Sequence, residues 1–340
     1  MKLVTFQHGP QRALGAVEGD TVVDLQAAYA TYLAEVEGDP RAAEIAAVRI
    51  PPDMAVFVAG LERSWQAAEQ ALEHGGPSYP LGEVRLLAPI VPPVILNSGQ
   101  NYWDHRDEKP PVEQHDPEFF LKTPLAVVGP DEPVILDPVV TSKLDYEVEL
   151  GVVIGKPGRH IPRERALEHV FGYTVTNDIT ARDRQAVPHP EGGFEYRLGP
   201  GKNFDTAAPI GPWIVTRDEI PDPQALGLRT YVNGELRQNN TTDKMIWDVP
   251  TVISFFSDFY TLQPGVLIET GTPGGTAWAS DPEIGGRPYE RDDVTRSGYL
   301  QPGDVVTVEV DGIGSLTNPI VAASAVALTA ETASLARGGE

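Results

Sequence analysis

The stretch Asp145-Tyr146-Glu147-Val148-Glu149-Leu150 puts carboxylates at alternate positions. On a strand, Asp145, Glu147 and Glu149 share one face, and Tyr146, Val148 and Leu150 share the other. Like charges at that spacing repel unless something positive lies between them. All-oxygen donors suit a hard ion such as Mg²⁺, Mn²⁺ or Ca²⁺ better than zinc. The bland alternative is a solvated sheet face. Asp178 closes the apolar run Tyr173 to Val175, either as a third carboxylate at a strand end or as an ordinary turn or cap aspartate. His105 and Glu108 stand three residues apart and share one face if that segment is helical. Glu108 would then orient the imidazole as a general base for water, unless the histidine is structural. Lys202 follows Gly199-Pro200-Gly201, which suggests a tight turn aiming an ammonium or, equally, a surface loop. Tyr196 and Asn203 exclude a Walker phosphate loop there. Thr270-Gly271-Thr272-Pro273-Gly274-Gly275 matches no dinucleotide fingerprint. It would bring backbone N–H groups to a carboxylate, or merely turn the chain.

The rest of the composition narrows the classes. The chain has 340 residues, of which 41% are hydrophobic, enough for a large core in one or two domains. Its 33 glycines and 32 prolines imply short elements and many turns rather than a helical bundle. A net charge of −23 repels phosphate backbones and anionic membranes, so no nucleic-acid or membrane partner is expected. Without cysteine there are no disulfides, thiol nucleophiles or thiolate metal sites. The N-terminus shows no signal peptide and no window is long and apolar enough to span a bilayer, so the expected location is cytoplasmic.

These groups need a scaffold. Residues 1–80 read as a small α+β domain. Its strands are expected at Leu3 to Phe6, Leu14 to Glu18 and Thr21 to Leu25, its helices at Ala27 to Glu37 and Asp53 to His74, and 75–80 is read as a linker. Residues 81–330 are strand-rich, with candidates at Val84 to Ala88, Val94 to Asn97, Tyr146 to Ile154, Phe171 to Asn177, Trp213 to Thr216, Leu228 to Val232, Leu267 to Thr270 and Val305 to Val310. Helical windows appear at Arg163 to Val170 and Val249 to Tyr260, and the tail after Ser324 is expected to fray. Strands without alternating helices disfavour a doubly wound parallel sheet. The predicted class is α+β, mainly β: a mixed β-sandwich roll with a small α+β N-terminal domain.

The ordered succession GxNYxDHxxE, DYExELxxVIG, NDxxARDxQ, GKxFDT, TGTPGG and LxPGDxVxVExxGIGxLxNP, from about Ile95 to Pro319, resembles the fumarylacetoacetate hydrolase superfamily. The resemblance implies that Glu147, Glu149 and Asp178 ligate a divalent metal, Mg²⁺ or else Mn²⁺ or Ca²⁺. It makes His105 and Glu108 a catalytic pair on a mobile lid. Lys202 and Thr206 would support the metal shell and a developing oxyanion, Arg182 and Gln185 would meet the substrate, and Thr272 would contact its carboxylate. It further implies a homodimer with the site at the mouth of the roll. The implied reaction is hydrolysis of a C–C bond in acylpyruvate-like 2,4-dioxo acids, with His105–Glu108 activating water and the ion acting as Lewis acid toward the departing enolate. The alternative within the same superfamily is an isomerase, decarboxylase or dehydratase acting on hydroxymuconate-type or sugar-acid intermediates. A third reading is a protein that only binds a dicarboxylate. Two features depart from the pattern. An insertion at 276–298 is expected to cover the site or reach the partner subunit, and Trp103 would narrow the acyl pocket or pack the lid.

Overall fold

The computed structural model describes residues 1–109, 114–288, 291–296 and 298–325. The tail after Ala325, and with it the end of the second expected domain, lies outside the described residues. The chain opens with three antiparallel strands, β1 (Lys2–His8), β2 (Gln11–Glu18) and β3 (Thr21–Asp24). Four helices follow: α1 (Leu25–Glu35), α2 (Ala42–Arg49), α3 (Met54–Ala59) and α4 (Leu61–His74). Short strands β4 (Ser78–Pro80) and β5 (Arg85–Leu86) lead to β6 (Ile95–Gly99), α5 (Trp103–Asp107), β7 (Glu118–Lys122), β8 (Val127–Val128), β9 (Val134–Leu136), β10 (Leu144–Asp145) and β11 (Val148–Ile154). Next come β12 (Val170–Asn177), β13 (Thr180–Ala181), α6 (Arg182–Gln185), β14 (Ala186–Pro188), β15 (Phe194–Tyr196), α7 (Leu198–Lys202) and β16 (Ala208–Thr216). The last third adds β17 (Gly227–Val232), β18 (Glu235–Thr241), α8 (Val249–Phe259), β19 (Leu267–Glu269), β20 (Val305–Val310) and β21 (Gly314–Ala322).

The larger sheet runs β4-β3-β2-β1-β16-β12-β11-β19-β6-β7, with β5 added to β1 and β8 to β16. A second sheet, β18-β17-β20-β21-β9, packs against the β11–β12–β16 region. Leu150, Val152, Val175 and Ile210 of the first sheet share one core cluster with Leu228, Val306, Val308 and Leu316 of the second. This is the mainly β sandwich roll expected from the sequence. Every residue of β11 is buried, as befits a central strand covered on both faces. Asp145 and Glu147, just before it, are buried as well, so the solvated-face reading of the alternating acids is excluded. Residues 1–80 contribute directly to the larger sheet, because β1 pairs with β16 at Lys2↔Val215 and Leu3↔Ile214.

Some local expectations need correction. The helix expected from Asp53 to His74 is two helices, because the chain turns at Gly60 and Leu61, the latter at φ 51°. Asp53 caps the first by accepting from the Val56 N–H at 3.1 Å. Helix α2 is alanine-rich and buries only Ala42 and Ala46, so it carries too little apolar periodicity to be read. The expected linker includes β4, which pairs with β3.

Candidate functional site

Register brings the acidic residues together. Strands β11 and β12 are antiparallel with Val148 opposite Asn177 and Glu149 opposite Thr176. One step beyond that ladder, Glu147 and Asp178 face each other, and the Asp178 N–H donates to the Glu147 carbonyl at 2.9 Å. The carboxylates of Glu147, Glu149 and Asp178 offer oxygens all within 4.8 Å of one another, and all three residues are buried. Lys202, at the end of α7, donates to Glu147 Oε2 and Asp178 Oδ2, both at 2.6 Å. Lys122 on β7 also pairs with Asp178. Burial works against the Lys202 ammonium, but Asp178 and Glu147 outweigh it and raise its pKa. Burial likewise opposes the Glu147 charge, yet Lys202 and Arg182 bring that carboxyl down to about 2.

Among the described residues no ion pair engages Glu149, whose carboxylate accepts one hydrogen bond, from the Gly271 N–H at 2.6 Å. Burial first, then Asp178, Glu269 and Glu147, push its carboxyl well above the usual range. Glu269, buried on neighbouring β19, is pushed up by burial to about 8 although Lys122 lies near. A buried cluster of oxygen donors with this much uncompensated negative charge fits a hard divalent cation, and the residues that would hold it are Glu147, Glu149 and Asp178.

Asp145 breaks the alternation. Strands β10 and β11 are interrupted at Tyr146–Glu147, and Asp145 is not one of the clustered carboxylates, although it shares Arg182 with Glu147. It accepts from Arg182 Nε at 2.7 Å and from the N–H groups of Ala277 and Trp278 at 2.9 and 3.0 Å. Arg182 is fully buried, pairs also with Glu147, donates to Gln185 Oε1 at 2.8 Å and lies 5.1 Å above the Trp278 ring. It braces the acidic cluster from behind and is not among the residues lining the pocket.

His105 and Glu108 are assembled opposite. Asn101 fixes the approach to α5 by donating to the carbonyls of Trp247 and Thr270 at 2.8 and 2.7 Å. His105 Nδ1 lies 2.6 Å from Glu108 Oε2. Glu108 is wholly buried and accepts from the N–H groups of Gly275 and Thr276 at 2.6 and 3.1 Å and from the Thr276 hydroxyl at 2.8 Å. Burial holds the imidazole well below its ordinary pKa, helped by Lys109, Arg182 and Lys202. Burial pushes Glu108 well above the carboxylate range despite its hydrogen bonds. The 270–275 turn thus gives its N–H groups to the protein's own carboxylates, one on each side of the site. Glycine is required at both contact points: Gly271 has φ 95° and a Cβ there would lie 2.6 Å from Asn101 Cβ, while Gly275 has φ 107° and its Cβ would lie 2.2 Å from the Arg237 carbonyl.

The pocket between the two halves is narrow, with a cavity volume of about 20 Å³. Its walls include His105, Lys109, Glu118, Gln185, Lys202 and Thr272 together with Glu147, Glu149 and Asp178. Thr272 is fixed by Gln238 Nε2 at 2.9 Å. Thr206 lies outside this lining, and its hydroxyl accepts from the Ile135 N–H at 2.9 Å. Trp103 is also outside it, exposed and stacked on Arg106. The described part of the insertion folds against the site: Trp278 is buried under Arg182, and the Arg287 N–H donates to the Glu108 carbonyl at 2.7 Å. Sequence reasoning did not single out Lys109, Lys122, Glu269 or Trp278. Each reaches the site from a separate segment, and none carries a local spacing signal.

A family model described as "Fumarylacetoacetate (FAA) hydrolase C-terminal" matches residues 94–321. The chain belongs to the fumarylacetoacetate hydrolase family. That match contains every residue placed around the pocket. Among relatives in the family, the mitochondrial oxaloacetate tautomerase fahd2 of Xenopus laevis is 36% identical over 326 residues, which cover 94% of this chain and 90% of that protein. The crystal structure of maleylpyruvate hydrolase from Sphingobium sp. SYK-6 in complex with manganese(II) and pyruvate superposes with a TM-score of 0.68 at 29% identity, covering 95% of this chain and 99% of the other. A 2-hydroxyhepta-2,4-diene-1,7-dioate isomerase from Mycobacterium marinum superposes with a TM-score of 0.65 at 30% identity, covering 95% and 99%. The family's members therefore carry names of tautomerases, hydrolases and isomerases on one scaffold.

Proposed function

We propose that this protein is a divalent-metal-dependent enzyme that moves a proton at C3 of a 2-oxo acid, interconverting the keto and enol forms of a substrate such as oxaloacetate. The observation that carries this reading is a desolvated imidazole, oriented by Glu108, facing a buried nest of three carboxylates across a narrow pocket. A relative aligned over nearly the whole chain is named for that reaction. A divalent ion held by Glu147, Glu149 and Asp178 supplies Lewis acidity toward the 2-oxo oxygen.

The chain's own groups do the rest. His105, with its Nδ1 on Glu108, takes the C3 proton through its other ring nitrogen as C2=C3 forms and the C2=O electron pair moves to oxygen, which gains a proton from solvent to complete the enol; the reverse direction retraces these transfers. Glu108 stabilises the imidazolium that forms. Because Arg182 occupies the Gln185 carbonyl, the Gln185 amide NH₂ remains to donate to substrate oxygen. Lys202 pairs with Glu147 and Asp178 and, with Arg182, holds Glu147 in its ionised form. Arg182 and Trp278 hold this arrangement from outside the pocket.

The second reading is C–C bond hydrolysis in an acylpyruvate, with the same imidazole deprotonating water. It is favoured by the likeness to maleylpyruvate hydrolase. The deciding experiment gives metal-loaded protein the enol of oxaloacetate and, separately, a panel of acylpyruvates. Accelerated loss of enol absorbance without pyruvate establishes the first reading, whereas pyruvate release from acylpyruvates establishes the second. Inertness toward both overturns the assignment. We also propose a homodimer, which light scattering in solution tests. The described helices include none long and apolar enough to cross a membrane. We also propose a cytoplasmic location, although the Xenopus relative is named mitochondrial; cell fractionation decides it.

A further inference from the structure

Among the cations around the pocket, Lys109 stands apart. Lys202 is taken by Glu147 and Asp178, Arg182 by Asp145 and Glu147, and Lys122 by Asp178. Lys109 is 5% exposed and lines the pocket, yet among the described residues no hydrogen bond or ion pair engages its ammonium. It rests 5.2 Å above the Trp278 ring, the same indole that supports Arg182. A cation–π contact steadies an ammonium without neutralising it. Burial, only partly opposed by Glu118, lowers its pKa to about 7, the mark of a charge lacking a close anion.

We propose that Lys109 is a specificity-determining residue that binds a second, distal carboxylate of the substrate, so that the pocket selects 2-oxo dicarboxylates over 2-oxo monocarboxylates. The inference rests on the reading of the site as one for 2-oxo acids. On that reading the C1 carboxylate and 2-oxo end would sit at the acidic triad, whose residues would hold the ion. Lys109 lines the same pocket as the triad, so the distal end of a ligand held at the triad lies within those shared walls. Of those walls Lys109 is the cationic one not already committed. An arriving carboxylate completes its pairing without new desolvation of the lysine, whose burial cost the fold already bears. A methyl group in the same place leaves the ammonium unpaired.

Malate and lactate test this directly, because these non-reacting 2-hydroxy acids differ by the distal carboxylate. Binding to Mn²⁺-loaded protein is measured calorimetrically for wild type, Lys109→Met, Lys109→Gln and Lys109→Arg. A charged hydrogen bond of ordinary strength corresponds to a malate preference of roughly tenfold to a hundredfold. That preference collapses to below about threefold in the Met and Gln variants and persists in the Arg variant. Either neutral variant suffices, provided its melting temperature stays near that of wild type. No preference in wild type, or a preference that survives neutralisation, overturns the proposal. The enol–keto assay on oxaloacetate separates the two claims. If oxaloacetate is not tautomerised but malate preference depends on Lys109, the carboxylate site stands and the tautomerase reading falls. If oxaloacetate is tautomerised with no malate preference, the reverse holds.

Discussion

Glu149→Gln separates the charge of the ligand nest from its shape. In wild type, Glu149 is the carboxylate of the triad without a cation of its own, and it faces Asp178, Glu269 and Glu147 in a buried setting. The amide keeps an oxygen for the Gly271 N–H and removes the like-charge repulsion. Stripped of metal, the variant is therefore expected to melt above wild type. Loaded, the order reverses. An ion at a hundredfold excess over its dissociation constant stabilises the folded state by about 2.7 kcal/mol. The unfolding entropy at the melting point, about 2.1 cal/mol/K per residue, comes to roughly 0.7 kcal/mol/K for 340 residues. Metal should thus raise the wild-type melting temperature by about 4 °C, whereas a nest with one anionic ligand fewer should gain less than about 1 °C. The assay is thermal denaturation of chelator-treated protein, titrated with Mg²⁺ or Mn²⁺. Equal metal-induced shifts in the two proteins, or no shift in either, would refute the assignment of Glu149 as a ligand.

Three further expectations follow from the same geometry. His105→Ala should lower kcat by about 10²–10⁴ while leaving the metal-induced thermal shift in place; loss of both together would mean the residue acts structurally. The imidazole is held below its ordinary pKa by burial, then by Lys109, Arg182 and Lys202. The base form is therefore present at lower pH than for a free histidine, and the acid limb of the kcat/KM profile should lie below about pH 6.5. A midpoint at or above that value contradicts the assignment. Arg182→Met leaves Asp145 and Glu147 buried without their guanidinium, and should destabilise the fold by about 3–5 kcal/mol in chemical denaturation; a loss under about 1 kcal/mol would show that Arg182 is no brace.

The sequence made the chemical residues legible where chemistry and local periodicity coincide. Glu147 and Glu149 stand two apart, one just before β11 and one within it, and His105 and Glu108 fall three apart on a short helix and its C-cap, so spacing alone suggested two partnerships that the structure contains. Asp145 obeys the same alternation on paper but stays out of the cluster, because the ladder breaks at Tyr146–Glu147 and Arg182 and the backbone of Ala277 and Trp278 engage it. Lys122, Lys109 and Glu269 meet the site through sheet order and a tight turn, which no window of neighbouring residues encodes. Thr206 stood in a matching motif, yet its hydroxyl serves Ile135 outside the pocket. The split at Gly60–Leu61 and the presence of α2 escaped notice for a related reason: backbone turning and alanine burial leave little trace in hydrophobic period.

The turn from Thr270 to Gly275 holds Glu149 with one N–H group and Glu108 with another. Variation within it disturbs acid ligand and base together, so substitutions there are expected to be tolerated only in concert. The opposite wall, around Lys109, Glu118 and Leu198, carries no such double duty. Substitutions on that wall are therefore expected to change which substrates bind while leaving the acidic cluster and the His105–Glu108 pair in place.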